Sequence, residues 1–293
     1  MKFAAIDIGT NAARLLIAEV QQLGGHMQFR KLAYYRVPLR LGEEVFEKGK
    51  ILAKKALKFQ QTMHAFKFLA EANEVDKLRA VATSAMREAS NRIKIVNQIF
   101  EQTDIQLEVI SGEEEARLIL QSFDRFNLQK QEQFVVVDVG GGSTEISIFE
   151  NGQKLASRSF ELGTIRILKG KTAPQTWVDF STWIEQNKPQ NQTFTVFGTG
   201  GNINQALKTI APNTKATLSL ASLKNLHEEL IALSFEERCL QFQLKPDRAD
   251  VIVPALQIYM AALNALGQES LVVPKIGLAD GVIYQLFLEH TNL

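Results

Sequence analysis

The stretch VVVDVGGGSTEISIF, residues 135–149, contains an aspartate and three consecutive glycines between two strand-like runs. Glycines in such a loop let backbone N–H groups approach an anion closely, because no Cβ stands in the way. A hairpin turn needs one glycine, and three exceed that need. The loop of Gly140, Gly141, Gly142 and Ser143 is therefore a candidate phosphate site, with a plain tight turn as the alternative.

Two carboxylates flank this loop, those of Asp138 and Glu145. Oxygen ligands beside a phosphate loop are what Mg²⁺ prefers, since it takes hard ligands and bridges to phosphate oxygens. The alternative is that Asp138 hydrogen-bonds to the loop amides and that Glu145 is an exposed hairpin residue. Both interpretations remain open at this point.

A second acidic cluster lies in SGEEEARL, residues 111–118. Ser111 and Glu114 form a capping-box pattern, and acids are favoured in the first turn of a helix. Glu115 fits less well, because its neighbours at i+3 and i+4 are apolar and its side chain should point inward. Glu115 therefore either pairs with a cation or acts on a water molecule.

Weaker candidates lie where strands give way to helices. Arg87, in VATSAMREASN, has the position of a phosphate-binding arginine, although an arginine on the exposed surface of a helix could have the same position. The segment FGTGGN, residues 197–202, adds Gly198, Gly200 and Gly201, which a strand-to-helix turn explains equally well.

Composition limits the class of protein. With 33 basic and 32 acidic residues the formal charge is +1, so we expect neither a nucleic-acid partner nor a membrane surface. We see no signal peptide and no stretch of roughly 18 uninterrupted apolar residues, so we expect a cytoplasmic protein. Cys239 is the sole cysteine, which excludes an internal disulfide.

The chain contains an internal repeat that predicts two lobes. When DIGTNAARLLIAEV is laid on DVGGGSTEISIFEN, Asp7 aligns with Asp138 and Arg14 with Glu145. Strand-like and helical runs alternate after each copy, which predicts an α/β fold with a largely wound sheet. We place the boundary in the polar segment 122–133, giving lobes 1–124 and 125–293, with the last helix a candidate to pack back on the first lobe.

The predicted elements can be given by residue range. Helices are predicted over 55–73, 87–102, 111–123, 220–233 and 248–266, and strands over 27–37, 78–84, 105–110 and 154–162. A strand, a loop and a helix are predicted in turn over 193–210 and again over 270–290. The apolar helix VIVPALQIYMAALNAL, residues 251–266, could form core or a dimer face, so a homodimer is one expectation.

Together these segments resemble the exopolyphosphatase and guanosine pentaphosphate phosphohydrolase family of the actin-like ATPase superfamily. The motifs that carry the resemblance follow in order from residue 3 to about residue 284: DIGTNAARLLIAEV, VATSAMREASN, VISGEEEARLI, VVVDVGGGSTEISIFENG, SFELGTIRI, FGTGGN and RADVIVPAL. The resemblance implies two ribonuclease-H-like lobes with an interlobe cleft that holds the site. It also implies the short form of the family, without extra carboxy-terminal domains.

The resemblance assigns roles to the candidate residues. Glu115 would activate or orient the attacking water, Arg87 would bind phosphate, and Asp138 and Glu145 would hold the metal. The phosphate loop of the family would be Gly140, Gly141, Gly142 and Ser143, and our further candidates for phosphate binding are Thr10, Asn11, Arg14, Gly198, Gly200 and Gly201.

The implied activity is Mg²⁺-dependent release of terminal phosphate from polyphosphate or from a phosphorylated guanosine nucleotide. An ATP-using phosphotransferase and a non-catalytic polyphosphate or alarmone sensor remain alternatives. The chain departs from the family pattern at Ala255, in place of a glycine, and at Ala279, in place of an arginine. The missing arginine at Ala279 could remove a contact to a long anionic chain or to a nucleotide, which bears on the choice of substrate.

Overall fold

The computed structural model describes residues 1–23, 26–123, 133–151, 153–190, 194–211 and 216–291. The chain divides into two compact units. Unit one comprises Met1–Asn127 and Ile276–Leu293, and unit two comprises Leu128–Lys275. The sequence-based boundary at 124/125 lies outside the described residues and stays a prediction.

Unit one is a five-stranded mixed sheet with helices. Its strands are β1 (Lys2–Ile8), β2 (Ala12–Leu23), β3 (His26–Pro38), β4 (Lys77–Ala82) and β5 (Leu107–Val109). Its helices are α1 (Leu41–Lys48), α2 (Ala53–Ala72), α3 (Ser84–Glu88), α4 (Arg92–Thr103), α5 (Gly112–Gln121) and α13 (Leu278–Thr291). The strand order is β3-β2-β1-β4-β5, in which β1 to β3 form an antiparallel meander and β4 and β5 run parallel to β1.

Unit two repeats this plan with one more strand. Its strands are β6 (Phe134–Val139), β7 (Thr144–Glu150), β8 (Gln153–Phe160), β9 (Thr195–Thr199), β10 (Thr217–Ser219) and β11 (Ser270–Val272). Its helices are α6 (Thr164–Leu168), α7 (Pro174–Asn187), α8 (Gly201–Ile210), α9 (Leu220–Ile231), α10 (Phe235–Gln241), α11 (Pro246–Ala249) and α12 (Ile252–Leu266). In the order β10-β11-β9-β6-β7-β8 the antiparallel meander β6 to β8 is again joined to parallel strands, β9 and β11, and the additional strand β10 pairs antiparallel with β11.

The hairpins confirm the alignment of the two sequence copies. Asp7 faces Arg14 across β1 and β2, and Asp138 faces Glu145 across β6 and β7. Because side chains alternate along a strand, both pairs project from the same face of equivalent hairpins. Register therefore brings together residues that lie seven positions apart in each copy.

Helix α12 forms the core of unit two. Ten of its 15 residues are buried, and it packs on α7, α8 and α9. By length and composition the segment Pro246–Leu266 could also cross a membrane, because an 18-residue window within it has a mean hydropathy of 1.5. However, 67% of that window is buried inside the protein. Burial of this kind is typical of a core helix, and the homodimer stays a prediction.

One helix predicted as continuous, over 87–102, is broken into α3 and α4. Ala89 is extended, and the Asn91 side chain both accepts from the Ile51 amide at 3.1 Å and donates to the Ile51 carbonyl at 2.8 Å. The chain leaves the helical conformation at Ala89, and the Asn91 side chain fixes the start of α4 against the backbone of Ile51. The prediction of one continuous helix was wrong, and Ile51, which holds Asn91 in place, is 40 residues away in the chain.

Helix α13 returns to unit one and packs tightly on α5. A Cβ added to Gly281 would lie 1.7 Å from the Leu118 carbonyl oxygen, so the two backbones touch at this point. Arg117 of α5 and Arg79 of β4 both donate to Gln285 of α13, at 3.0 and 2.8 Å. The last helix thereby fixes the position of the helix that carries Glu115.

We expect Gly281→Ala to destabilise the protein by about 3 kcal/mol or more, because the added methyl group overpacks a backbone contact. Urea unfolding would measure this loss. Gly277→Ala is the matched control, since within the described part of the chain no atom beyond its two chain neighbours lies within 4 Å of its added Cβ. Equal stability of the two variants would contradict the close contact.

Candidate functional site

The strongest feature of unit two is a pair of carboxylates on neighbouring strands. Asp138 and Glu145 are direct cross-strand partners, and a carboxylate oxygen of each lies within 4.8 Å of the other. Glu145 is only 3% exposed. Like charges directly opposite one another destabilise a sheet, so this pair calls for a positive charge or a proton.

Neighbouring strands orient both carboxylates. The Thr199 hydroxyl of β9 donates to Asp138 Oδ1 at 2.5 Å, and the Ser159 hydroxyl of β8 donates to Glu145 Oε1 at 2.7 Å. The Tyr259 hydroxyl in turn donates to the Thr199 carbonyl. Burial first, and then the charge of Asp138, raise the pKa of Tyr259 well above its ordinary value, so the phenol stays protonated as a donor.

The equivalent hairpin of unit one has no such repulsion. There Arg14 occupies the place of Glu145 and forms a salt bridge of 2.5 Å with Asp7. The two copies differ in charge at this one position, so the pair is a cation and an anion in unit one and two carboxylates in unit two. The oxygen donors of unit two suit a hard divalent cation. Asp138 and Glu145 are thus the residues that could hold a metal.

The loop between these carboxylates is held by its carbonyl groups. Thr164 N–H donates to the Gly140 carbonyl at 3.1 Å, and Ile165 N–H donates to the Gly141 carbonyl at 2.8 Å. The third carbonyl, that of Gly142, accepts from Nε of Arg166 at 2.8 Å. All three acceptors are therefore occupied by one short segment at the start of α6.

This arrangement leaves the loop amides facing the other way. In a trans peptide the C=O and the following N–H point in opposite directions, so the N–H groups of Gly141, Gly142 and Ser143 turn away from α6. Within the described residues, none of these three N–H groups donates a hydrogen bond to another group of the protein. Successive amides on one side of a loop form an anion-binding concavity.

Sequence reasoning missed two residues that hold this loop, although both lie in the quoted segment SFELGTIRI. A Cβ on Gly163 would come within 2.3 Å of the Gly142 backbone, so only glycine fits. Arg166 is 5% exposed, which is unusual for arginine. No local pattern marks either residue, because both act on a loop that precedes them by about 20 residues.

The glycines of FGTGGN divide into different roles. A Cβ on Gly198 would contact the Leu271 side chain at 3.0 Å, which accounts for Gly198 by packing. Gly200 has a φ of 109°, and its Cβ would lie 2.7 Å from the Val139 carbonyl and 3.5 Å from Asp138 Oδ1. Gly201 lies against the guanidinium of Arg248. Gly200 thus adjoins the acidic pair, and phosphate binding by the three glycines stays a prediction.

Glu115 and Arg87, predicted separately, contact one another in unit one. Arg87 Nη1 lies 3.1 Å from Glu115 Oε2 and also donates to the Ile110 carbonyl at 3.0 Å. Glu115 is 8% exposed, as its inward position in the helix predicted. Of the two alternatives for Glu115, pairing with a cation is therefore observed. This pairing does not exclude the other alternative, that Glu115 acts on a water molecule.

The predicted capping box of α5 is only half formed. The Ser111 hydroxyl accepts from the Glu114 amide at 3.1 Å. The Glu114 carboxylate does not return to Ser111, because both of its oxygens bind Arg117 at 2.7 Å. That hydrogen bond from Arg117 is the main cause that lowers the pKa of Glu114.

The remaining candidates of unit one lie at the tip of its hairpin. Thr10 and Asn11 are buried between β1 and β2, and the Thr10 hydroxyl accepts from the Ala85 amide of α3 at 3.3 Å. Arg14 is bound to Asp7. Phosphate binding by Thr10, Asn11 and Arg14 stays a prediction.

The two departures from the family pattern are both buried. Ala255 is 1% exposed in the core of unit two, and Ala279 is 7% exposed in α13. Beside Ala279, Asp280 pairs with Lys31 at 2.7 Å.

Comparisons with known proteins agree with the motif-based resemblance. A family model described as the Ppx/GppA phosphatase family matches residues 16–175 and 185–290. Exopolyphosphatase 1 of Mycobacterium tuberculosis is 26% identical, over 97% of this chain and 87% of that protein. The bifunctional 3-dehydroquinate synthase/phosphatase of Fusobacterium nucleatum is 26% identical over 92% of this chain, which spans only 44% of that relative.

Solved structures show the same fold. A Ppx/GppA family member from Aquifex aeolicus superposes with a TM-score of 0.79 at 25% identity, covering 99% of this chain and 98% of that one. An exopolyphosphatase from Cytophaga hutchinsonii gives a TM-score of 0.84 at 22% identity, covering 100% and 99% of the two chains. The prediction of two ribonuclease-H-like α/β lobes is confirmed. With its motifs, its fold and a family model that spans most of its length, the chain belongs to the Ppx/GppA phosphatase family.

Proposed function

We propose that this protein is an exopolyphosphatase, which hydrolyses the terminal phosphoanhydride bond of inorganic polyphosphate and releases orthophosphate. The observation that carries the proposal is the loop 140–143, whose three amides face one way between two carboxylates. A terminal phosphate has the charge and the oxygen acceptors that such a loop binds. Membership of a phosphatase family supports hydrolysis as the reaction.

Asp138 and Glu145 are proposed to hold Mg²⁺. Once bound, the ion would neutralise phosphate oxygens and so lower the cost of developing charge. The Thr199 and Ser159 hydroxyls keep one oxygen of each carboxylate in place, which preorganises the pair before a ligand arrives.

Glu115 is proposed to orient the attacking water. Its carboxylate is buried and held by the Arg87 guanidinium, so its orientation is fixed. Phosphoryl transfer depends mostly on positioning and on charge neutralisation, and a fixed carboxylate that accepts a hydrogen bond from water supplies positioning. Arg87 brings a positive charge that can offset charge on the phosphate.

We expect Glu115→Gln to lower kcat by about 10²-fold or more, the usual worth of a general base, while substrate affinity persists. Steady-state phosphate release would measure this. Glu113→Gln, an exposed acid on the same helical turn, is the control and should keep its turnover. Full activity of Glu115→Gln would remove the role assigned to it.

We expect Glu145→Gln to abolish the stabilisation of the protein by Mg²⁺ while leaving the metal-free form at least as stable as wild type. The amide keeps an acceptor for Ser159 and removes one of two facing charges. Wild type at 100 times the dissociation constant should gain about 2.7 kcal/mol. Thermal unfolding with Mg²⁺ or with chelator tests this, and the exposed Glu185→Gln is the control. An unchanged Mg²⁺ response in Glu145→Gln would contradict the metal site.

The substrate is tested by measuring phosphate release from long polyphosphate, tripolyphosphate, guanosine pentaphosphate and ATP in parallel. We expect long polyphosphate to give the highest kcat/KM. Preference for the guanosine compound would make the protein an alarmone hydrolase, and activity on ATP alone would favour a nucleotide-using enzyme. Binding without release from any of the four would indicate a sensor.

A further inference from the structure

We propose that Arg166 is a positioning residue for the phosphate loop, one that aims the Ser143 amide at the bound phosphate without touching the phosphate itself. This inference rests on the proposed function, because it concerns how the same loop binds a phosphate chain. Arg166 belongs to none of the candidate roles that sequence motifs suggest.

The guanidinium of Arg166 lies on the carbonyl side of the loop, opposite its N–H groups. Its Nε donates to the Gly142 carbonyl at 2.8 Å, and its Nη1 lies 3.6 Å from Glu161. The Arg166 side chain is 6% exposed, which leaves little surface for contact with a ligand. Its effect on phosphate must therefore pass through the loop.

The geometry of one peptide unit transmits that effect. The Gly142 carbonyl and the Ser143 N–H belong to the same planar peptide, so fixing one direction fixes the other. The Gly140 and Gly141 carbonyls are held by backbone amides, whereas the Gly142 carbonyl is held by a side chain. A substitution can thus release the third peptide and leave the first two in place.

The charge of Arg166 adds to this orientation. A hydrogen bond from a cation polarises the carbonyl that accepts it and strengthens the N–H dipole at the other end of the peptide. A buried cation behind the loop also favours an anion in front of it, because charges are weakly screened inside a protein. Both effects raise the affinity for phosphate.

The test compares tripolyphosphate binding by calorimetry, and KM and kcat on polyphosphate, for wild type, Arg166→Ala and Arg166→Lys. We expect Arg166→Ala to raise both the dissociation constant and KM by about tenfold to a hundredfold, the worth of one charge-assisted hydrogen bond, with a smaller change in kcat. The dissociation constant and KM of Arg166→Lys should lie between those of wild type and those of Arg166→Ala, because lysine keeps the charge and one donor. Arg158→Ala, an exposed arginine of β8, is the control and should bind as wild type does.

Rescue by added guanidinium ion separates positioning from a general structural role. Guanidinium chloride, far below denaturing concentrations, should restore tripolyphosphate affinity in Arg166→Ala, and an equal concentration of sodium chloride should not. Wild-type affinity in Arg166→Ala would overturn the inference. So would weak binding in both variants with no response to guanidinium, since that is the result of damaged packing alone.

The same measurements separate this inference from the proposed function. A wild-type protein that binds tripolyphosphate and hydrolyses no phosphate chain would remove the exopolyphosphatase assignment, and the role of Arg166 would then be decided by the binding and rescue data. A wild-type protein that binds no tripolyphosphate and releases no phosphate from long polyphosphate would overturn both.

Discussion

Two carboxylates that face each other across one hairpin are the constraint on which the site in unit two depends. Asp138 and Glu145 are fixed as partners by the register of β6 and β7, so their charges cannot separate without breaking the sheet. The Thr199 and Ser159 hydroxyls hold one oxygen of each carboxylate in place. A half-buried and a buried carboxylate kept face to face in this way could hold a cation between them.

Comparing the equivalent hairpins of the two units shows what is particular to the pair in unit two. Unit one has the same hairpin with the pair Asp7 and Arg14, and there the charges neutralise each other at 2.5 Å. One difference of residue type at equivalent positions replaces a salt bridge by two facing carboxylates, which could hold a metal ion.

The glycine loop depends on residues far from it in the chain. Its carbonyls are all held from one side, by Thr164, Ile165 and Arg166, and this forces its amides to the opposite side. Gly163 permits the approach, because any Cβ there would collide with Gly142. The glycines make the loop backbone flexible, and the segment at the start of α6 fixes it in the one orientation in which its N–H groups could bind an anion.

The sequence by itself determined the fold class, the internal repeat, the acidic pair and the inward position of Glu115. These follow from hydrophobic periodicity and from residue types at fixed spacing, which are local properties. Only the tertiary structure decided that Arg87 meets Glu115, that the Asn91 side chain binds the Ile51 backbone, that Gly198 lies against Leu271, and that Arg166 holds the loop. Each of these depends on a partner distant in the chain, and spacing along a sequence carries no information about which distant groups the folded chain brings together.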